Sequence, residues 1–452
     1  MDKASSDIVI GGAGIAGVST AYFLAKCGIR NITLIDEFSP LSLTSNRSTE
    51  CYRNWWPDAE MLHLMNRSID LLEELADKSG NQFSLNRRGY LFVTADKSKI
   101  GTMEERAKKI SNLGAGPLRI HTEDFSTYEE HSPEGYSNTL IGADLLNGNS
   151  LVHRHFPYLT DNVVAALHVR RAGWMSAQQM GMLMFNEAKS LGVNFKLGKV
   201  THIGVNNNSI NTIEINSNER IKTGIFINAA GPFFKDVGLL CNLNIPVFTE
   251  LHLKVAIHDH LKVLNRDAPL MIWDDPQYLE WEEEDLKSLA ADAETRWLTE
   301  PFPSGAHTRP EGGPDSDIVI LLWEYQSKKM EPLINPPLDD LYPEVVLRGM
   351  ARMLPAFRRY LSRMPKPKVD GGFYTKTRDN RPIVGPTPIN GLYLVGALSG
   401  YGIMSSCGVG ELLSQYISDR KLPPYANALS LERFSDPVYM EWIDTLSDTG
   451  QL

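Results

Sequence analysis

The first hydrophobic run is short: "DIVI", residues 7–10, predicts a buried strand. Apolar and small residues then fall at helical spacing through "VSTAYFLAKCG" (18–28), with Gly28 placed to stop the helix. "NITLID" (31–36) predicts a second strand. Apolar positions at helical spacing return in "AEMLHLMNRSIDLLEELA" (59–76), and "GYLFVTAD" (89–96) reads as a strand. "KIGTMEERAKKISNLG" (99–114) reads as a helix, and "SAQQMGMLMFNEAKSLGVNF" (176–195) as a helix running into a strand. Residues 198–231 alternate as short strands with turns and close on the apolar "IFINAAG". After residue 246 the pattern changes. "ELHLKVAI" (250–257) alternates as a half-buried strand and "DIVILLWEY" (317–325) is another. Between them lies an acidic, Pro/Gly-punctuated stretch, 280–316, read as a helical insertion with an ordinary loop at "HTRPEGG". "PEVVLRGMARMLPAFRRYL" (343–361) is amphipathic, and in 390–417 a strand, a glycine-rich turn and a helix follow each other. No internal repeat or low-complexity segment interrupts this order.

Composition narrows the class. A chain of 452 residues predicts two or three domains, and 42% hydrophobic with 22% charged residues fits a globular protein. A net charge of −10 argues against nucleic-acid binding, which needs a basic face. Cys27, Cys51, Cys241 and Cys407 form no CxxC pair and are expected as free thiols in a reducing compartment. The N-terminus shows no signal pattern and no apolar run reaches 18 residues, so a cytoplasmic location without a membrane-spanning segment is expected.

The first strand, turn and helix carry chemistry. Gly12, Ala13, Gly14, Ile15, Ala16 and Gly17 spell G-x-G-x-x-G between strand and helix, and Asp36, followed by Glu37, ends the second strand. Gly12 permits the tight turn, Gly14 a close approach of pyrophosphate, and Gly17 helix–strand packing. The helix N-terminus offers unpaired N–H groups, and Asp36 can accept hydrogen bonds from a ribose. These features predict a dinucleotide site without choosing between FAD and a nicotinamide. Ala230 and Gly231, at the end of "IFINAAG", lie where a strand end borders such a cofactor.

Two later segments narrow the reading. "FYTKTRDNRPIVGP" (373–386) and "ALSGYGIMSSCGVGELLSQ" (397–415), with the N-terminal fingerprint and "LTSNRSTECYR" (43–53), resemble FAD-dependent oxidoreductases of the D-amino-acid oxidase superfamily, on the sarcosine oxidase and N-methyl-tryptophan oxidase branch. The likeness is strong at both FAD-binding ends and weaker between them. It implies an α/β fold, α+β overall, with a Rossmann-like FAD domain discontinuous in sequence (1–95, 165–245, 365–440). A β-sheet substrate domain would take 96–164 and 246–364.

The resemblance also implies roles. Thr44, Ser45, Arg47 and Ser48 would run along FAD, and Val200 would give a backbone contact to adenine. Gly400, Gly402, Ile403 and Met404 would line the flavin's pyrimidine side. Arg53 falls at the family's carboxylate-binding arginine, a task for which its planar fork suits it. Tyr401 falls at an active-site histidine, and Arg309 can supply a second cation. Gly372 stands where a cysteine tethers the flavin, so FAD is expected to bind non-covalently. A carboxylate-binding lysine aligns with Met404. The lysine that promotes reaction with oxygen aligns with Leu322, which leaves oxygen or another acceptor open. Glu50 stands near a flavin-adjacent arginine of that branch. No metal site is expected: His258 and His260 lack a third ligand, and His252 reads as packed. Trp55, Trp56, Trp323 and Tyr325 are expected as an aromatic wall. The expected reaction is flavin-dependent oxidation of a C–N bond in an amine, N-substituted amino acid or imino acid. The alternatives are oxidation of a 2-hydroxy acid, or a flavin-binding protein with a non-catalytic assembly role.

Overall fold

The structure, a computed structural model, describes residues 5–136, 140–446 and 450. Residues 1–4 of the expected FAD domain and 137–139 of the expected substrate domain lie outside these. A six-stranded sheet runs in the order Ile383–Pro386, Leu392–Gly396, Ile225–Asn228, Ile8–Gly11, Ile32–Asp36, Asn194–Leu197. Its pairs are parallel except the first, which is antiparallel. Both faces are covered, so its central strand Ile8–Gly11 is fully buried and reads as a continuous apolar run. The helices Ile15–Lys26 and Gly402–Ile417, from opposite ends of the chain, pack together on this sheet with Ala59–Ser79. Asp58 starts the last of these by accepting from the N–H groups of Glu60 (2.9 Å) and Met61 (3.1 Å), and Gly80 ends it at φ 65°.

A nine-stranded sheet forms the second layer, in the order Lys368–Lys376, Phe248–His258, Ile318–Leu322, Ala306–Glu311, Leu270–Trp273, Tyr90–Thr94, Ala165–Val169, Ala143–Asn147, Leu118–Thr122. Helix Tyr342–Met353 packs on it so tightly that a Cβ at Gly349 would lie 2.4 Å from the Trp323 ring. This sheet takes strands 90–94, 165–169 and 368–376 from ranges expected in the FAD domain. The reason is pairing: Tyr90–Thr94 bonds to Ala165–Val169, and all of Lys368–Lys376 bonds along residues 248–256 of the strand Phe248–His258.

The stretch 280–316 is helical at Glu283–Ala291, whose residues are all partly or fully exposed, and in the short 3-10 helix Arg296–Thr299. The loop expected at "HTRPEGG" is instead the interior strand Ala306–Glu311, paired on both edges. Its alternation is masked because charged Arg309 is buried on the sheet, held by acids rather than by water. Among the described residues, no helix is long and apolar enough to cross a membrane.

Candidate active site

Two cavities meet between the layers. The first, of about 440 Å³, is a cleft along the carboxyl ends of the parallel strands. Gly12 has φ 113°, and a Cβ there would stand 2.3 Å from the Ala229 carbonyl oxygen. Gly17 faces the Gly12 carbonyl oxygen at 1.8 Å from its would-be Cβ. Gly14 differs: an added Cβ would meet only Ser45 Oγ, at 3.5 Å, because its open side is the cleft. The glycines therefore divide into two that hold the fold and one that leaves space for a ligand. Asp36 is tied inward, accepting from the N–H groups of Ala13 (2.6 Å) and Phe38 (2.8 Å), and burial raises its carboxyl above the usual range. Ser45 Oγ accepts from Ile15 N–H at 3.0 Å, closing the helix N-terminus against the Thr44–Arg47 turn.

Ile15, Ala16, Asp36, Glu37, Thr44, Ser45, Ser48, Val200, Ala230, Gly231, Gly400, Gly402 and Ile403 all line this cleft. Arg47 and Met404 do not; they line the second cavity. The 3.4 Å ion pair to Asp370 and contacts to the Ile334 carbonyl turn Arg47 away from the cleft, and helical rotation takes Met404 to the other side of Ile403. Gly372 lies against the turn: a Cβ there would sit 3.3 Å from Thr44 Cγ2 and 3.5 Å from Arg47 Cβ. An open cradle at Gly14, an inward acid at Asp36 and a helix N-terminus together fit a dinucleotide. No cysteine or histidine lines the cleft among the described residues.

The second cavity, of about 250 Å³, adjoins the first, and Tyr374 and Gly400 line both. One face of the nine-stranded sheet forms its roof. Directly paired antiparallel residues share a face, and the register couples Glu250 with Tyr374, His252 with Gly372, Lys254 with Asp370, and His307 with Leu322. Lys254 donates to the Ser48 carbonyl at 2.7 Å, and burial pulls its ammonium below the usual lysine range. A lysine thus reaches the cavity from the strand beside Leu322. His252 lies stacked on Tyr374, ring centroids 3.8 Å apart, and lines the cavity. Trp56, Trp323 and Tyr325 line it as well, whereas buried Trp55 does not.

Arg53, in the strand Cys51–Arg53, is buried under this cavity. It donates to the carbonyls of Trp55 and Gly450 and lies 4.5 Å from the Trp56 ring centroid. Tyr401 packs edge-on against Trp56 and commits its hydroxyl to the Asn380 carbonyl, so it offers a ring to the cavity. Arg309 is fully buried outside the cavity lining. It donates to the Thr49 carbonyl (2.7 Å) and pairs with Glu311 (2.5 Å) and Glu50 (3.7 Å). Glu50 in turn accepts from Ala177 N–H at 2.9 Å, at the start of helix Ala177–Ser190. Glu50 and Arg309 therefore brace the loop from beneath, so Arg309 takes a positioning place rather than that of a second substrate cation. Cys51 and Cys407 are buried, and burial raises both thiols. His258 is exposed and pairs with Asp317 at 2.9 Å.

Donor atoms of Glu250, His252 and Glu324 lie within 4.8 Å of one another. Lys376, 2.8 Å from Glu250, already supplies a positive charge there. The sequence hid this cluster because Glu324 lies just past the end of its strand.

The sequence profile of the family described as "DAO: FAD dependent oxidoreductase" matches residues 7–416. The rat (Rattus norvegicus) mitochondrial dimethylglycine dehydrogenase is 22% identical over 434 residues, covering 94% of this chain and 44% of that protein. The mouse (Mus musculus) mitochondrial pyruvate dehydrogenase phosphatase regulatory subunit is 22% identical over 418 residues, covering 92% of this chain and 41% of it. The chain thus spans less than half the length of these relatives. A crystal structure of L-proline dehydrogenase from P. horikoshii superposes with a TM-score of 0.73 at 20% identity, covering 96% of this chain and 98% of that one.

Proposed function

We propose, since the chain belongs to the DAO family of FAD-dependent oxidoreductases, that it holds FAD non-covalently and oxidises a C–N bond of a small amine, N-substituted amino acid or imino acid. The observation that carries the reading is the shared wall. Tyr374 and Gly400 border both the dinucleotide cleft and the second cavity, so a molecule in that cavity lies against the cofactor's end. When bound, FAD supplies the acceptor for the hydride.

The chain supplies position and charge. Gly14 leaves room for the pyrophosphate, and the N-terminus of the Ile15–Lys26 helix faces it. The positive end of helix Gly402–Ile417 opens on the same cleft and favours negative charge gathering there. Arg53 orients a substrate carboxylate. The Gly450 carbonyl, which lines the same cavity, occupies a place that a carboxylate oxygen can take. Trp56, Tyr374 and Tyr401 shape the space and exclude water. The product, left with a C=N bond, hydrolyses in solution.

The test is anaerobic. Yellow holoprotein mixed with a panel of amines, amino acids and 2-hydroxy acids should bleach with a nitrogen compound and not with its hydroxy counterpart. Arg53→Ala should raise KM for a carboxylate substrate about 10- to 150-fold, the range of a charged hydrogen bond. Bleaching by a hydroxy acid alone refutes the reading. The likeness to a regulatory subunit supports a second reading, a flavoprotein without turnover, which requires that nothing in the panel bleach it.

A further inference from the structure

We propose that Glu324 is the ammonium pole of the substrate cavity: its carboxylate receives the substrate's protonated nitrogen and takes its proton, with His252 holding it in place. This rests on the reading above as an amine oxidoreductase. Hydride can leave the carbon beside nitrogen only when the nitrogen lone pair is free, yet aliphatic amines are protonated near neutral pH. A group in the cavity that accepts that proton lets the abundant ammonium form react at neutral pH.

Glu324 has the geometry for it. It lines the cavity together with His252 and Tyr374. Among the described residues, no hydrogen bond reaches its carboxylate, and its single ion-pair neighbour is His252, with Nδ1 at 3.3 Å. The side chain of His252 is only 10% exposed, and its Nε2 has no hydrogen-bond partner, 3.6 Å from Glu250. A buried polar atom left without a partner costs free energy and is rare in folded proteins. Glu250 is itself neutralised by Lys376 at 2.8 Å. The row Lys376–Glu250–His252–Glu324 thus ends in a carboxylate aimed at the cavity with spare acceptor capacity. Burial raises its carboxyl above the usual range, which brings it closer to an amine's proton affinity. Other ionisable groups lining the cavity are Lys254 from the same strand as His252, Tyr374 and His307 from other strands of the sheet, Arg47 and Arg53 beneath, and Tyr325, Lys328, Asp339 and Tyr342 after Glu324.

The step balances without another reactant. The N–H bond of the ammonium breaks, its electron pair stays on nitrogen, and the proton joins a Glu324 oxygen. The freed amine is the form from whose carbon bound FAD would accept a hydride. A metal ion is a poorer occupant, because it would have to displace the Lys376 ammonium from Glu250.

The test uses FAD-loaded protein and two probes, n-butylammonium and butyrate, read by perturbation of the flavin absorbance. Glu324→Gln should weaken n-butylammonium at least about tenfold, leave butyrate unchanged or tighter, and keep bound FAD with a melting temperature no lower than wild type. Glu324→Asp should restore part of the cation binding. With an amine that reduces the flavin, the wild-type reduction rate should level off at a pH well below the free amine's pKa. In Glu324→Gln that limb should move up to the free amine, so the rate falls about tenfold or more at pH 7 and recovers at pH 10. Equal loss at every pH, equal loss of both probes, or no change in n-butylammonium binding overturns the proposal. Failure of the amine reading looks different: the wild-type flavin is then reduced by no amine, and the proton step falls with it.

Discussion

Alanine at Gly14 and at Gly17, made separately, should divide cofactor binding from folding. At Gly17 the new Cβ stands 1.8 Å from the Gly12 carbonyl oxygen and 3.0 Å from its carbon. The obstacle is backbone, so the helix must lift from the strand. Overpacking a core costs about 1–3 kcal/mol, and so close a contact belongs at or beyond the upper end. At Gly14 the nearest atom is Ser45 Oγ at 3.5 Å, an ordinary contact, and the backbone (φ −69°, ψ −178°) suits any residue. Two small terms remain. Losing glycine at the helix N-cap costs about 0.5 kcal/mol. Alanine's narrower unfolded ensemble returns about 0.4–1 kcal/mol. Cofactor-free Gly14→Ala should therefore melt within about 1–2 °C of wild type. Its methyl group projects into the cleft where the pyrophosphate must pass. A misfit of about 1–3 kcal/mol weakens FAD about 5- to 150-fold. Circular dichroism melts of cofactor-free protein and FAD fluorescence titrations measure the two quantities. Wild-type FAD affinity in Gly14→Ala refutes the placement of the pyrophosphate. A Gly14→Ala melt as low as that of Gly17→Ala refutes the division of roles.

Arg309→Met should destabilise the protein by about 3 kcal/mol, because the half-buried Glu50 and Glu311 lose the cation they share; a urea midpoint equal to wild type counts against the bracing role. Lys254→Met should slow reoxidation of the reduced flavin by oxygen about tenfold or more while sparing reduction, since a desolvated ammonium beside the cleft stabilises negative charge forming on oxygen; stopped-flow mixing with air-saturated buffer measures it. Glu324→Gln should raise the melting temperature of the cofactor-free protein at pH 8 and leave it unchanged at pH 4. Burial raises the folded-state carboxyl above its unfolded value, so relative stability is fully present below the unfolded pKa and is lost as pH rises through the folded one. Equal melting shifts at both pH values would exclude that linkage.

The cofactor cleft was largely legible because its contacts are local. Gly12, Gly14, Gly17 and Asp36 lie within 25 residues, and each does its work through backbone geometry or a strand end, which spacing reveals. Residues 43–53 were legible as a segment beside the cleft, which Leu43, Thr44, Ser45 and Ser48 line, but not the direction of each side chain. Arg47 turns away to Asp370, a residue more than 300 positions distant that no local pattern announces. Glu50 seemed out of place beside a flavin. Its partners, the Ala177 N–H and the Arg309 guanidinium, come from a helix start and a sheet strand, and pairing makes it structural. Arg309 itself read as loop because proline and glycine flank it. Ion pairs inside a sheet override that composition.

The second cavity was hidden for a different reason, and the same reason bears on what it is proposed to bind. Its roof is assembled by register across strands from 248–258, 306–311, 318–322 and 368–376. Alternation in "ELHLKVAI" shows that Glu250, His252 and Lys254 share a face, but not that Glu324 and Tyr374 join them. Once joined, charge is distributed unequally over the cavity. Lys254 reaches the Ser48 carbonyl, just before the Cys51–Arg53 strand, whereas Glu324 follows the Ile318–Leu322 strand and lies beside His252. A ligand with a carboxylate and an ammonium at opposite ends meets both. On this proposal a 2-hydroxy acid would meet only the first and leave the half-buried Glu324 with His252 as its ion-pair neighbour. A nitrogen substrate would give the half-buried Glu324 a cation that an alcohol cannot, so the proposed proton acceptor predicts a preference for an amine over an alcohol.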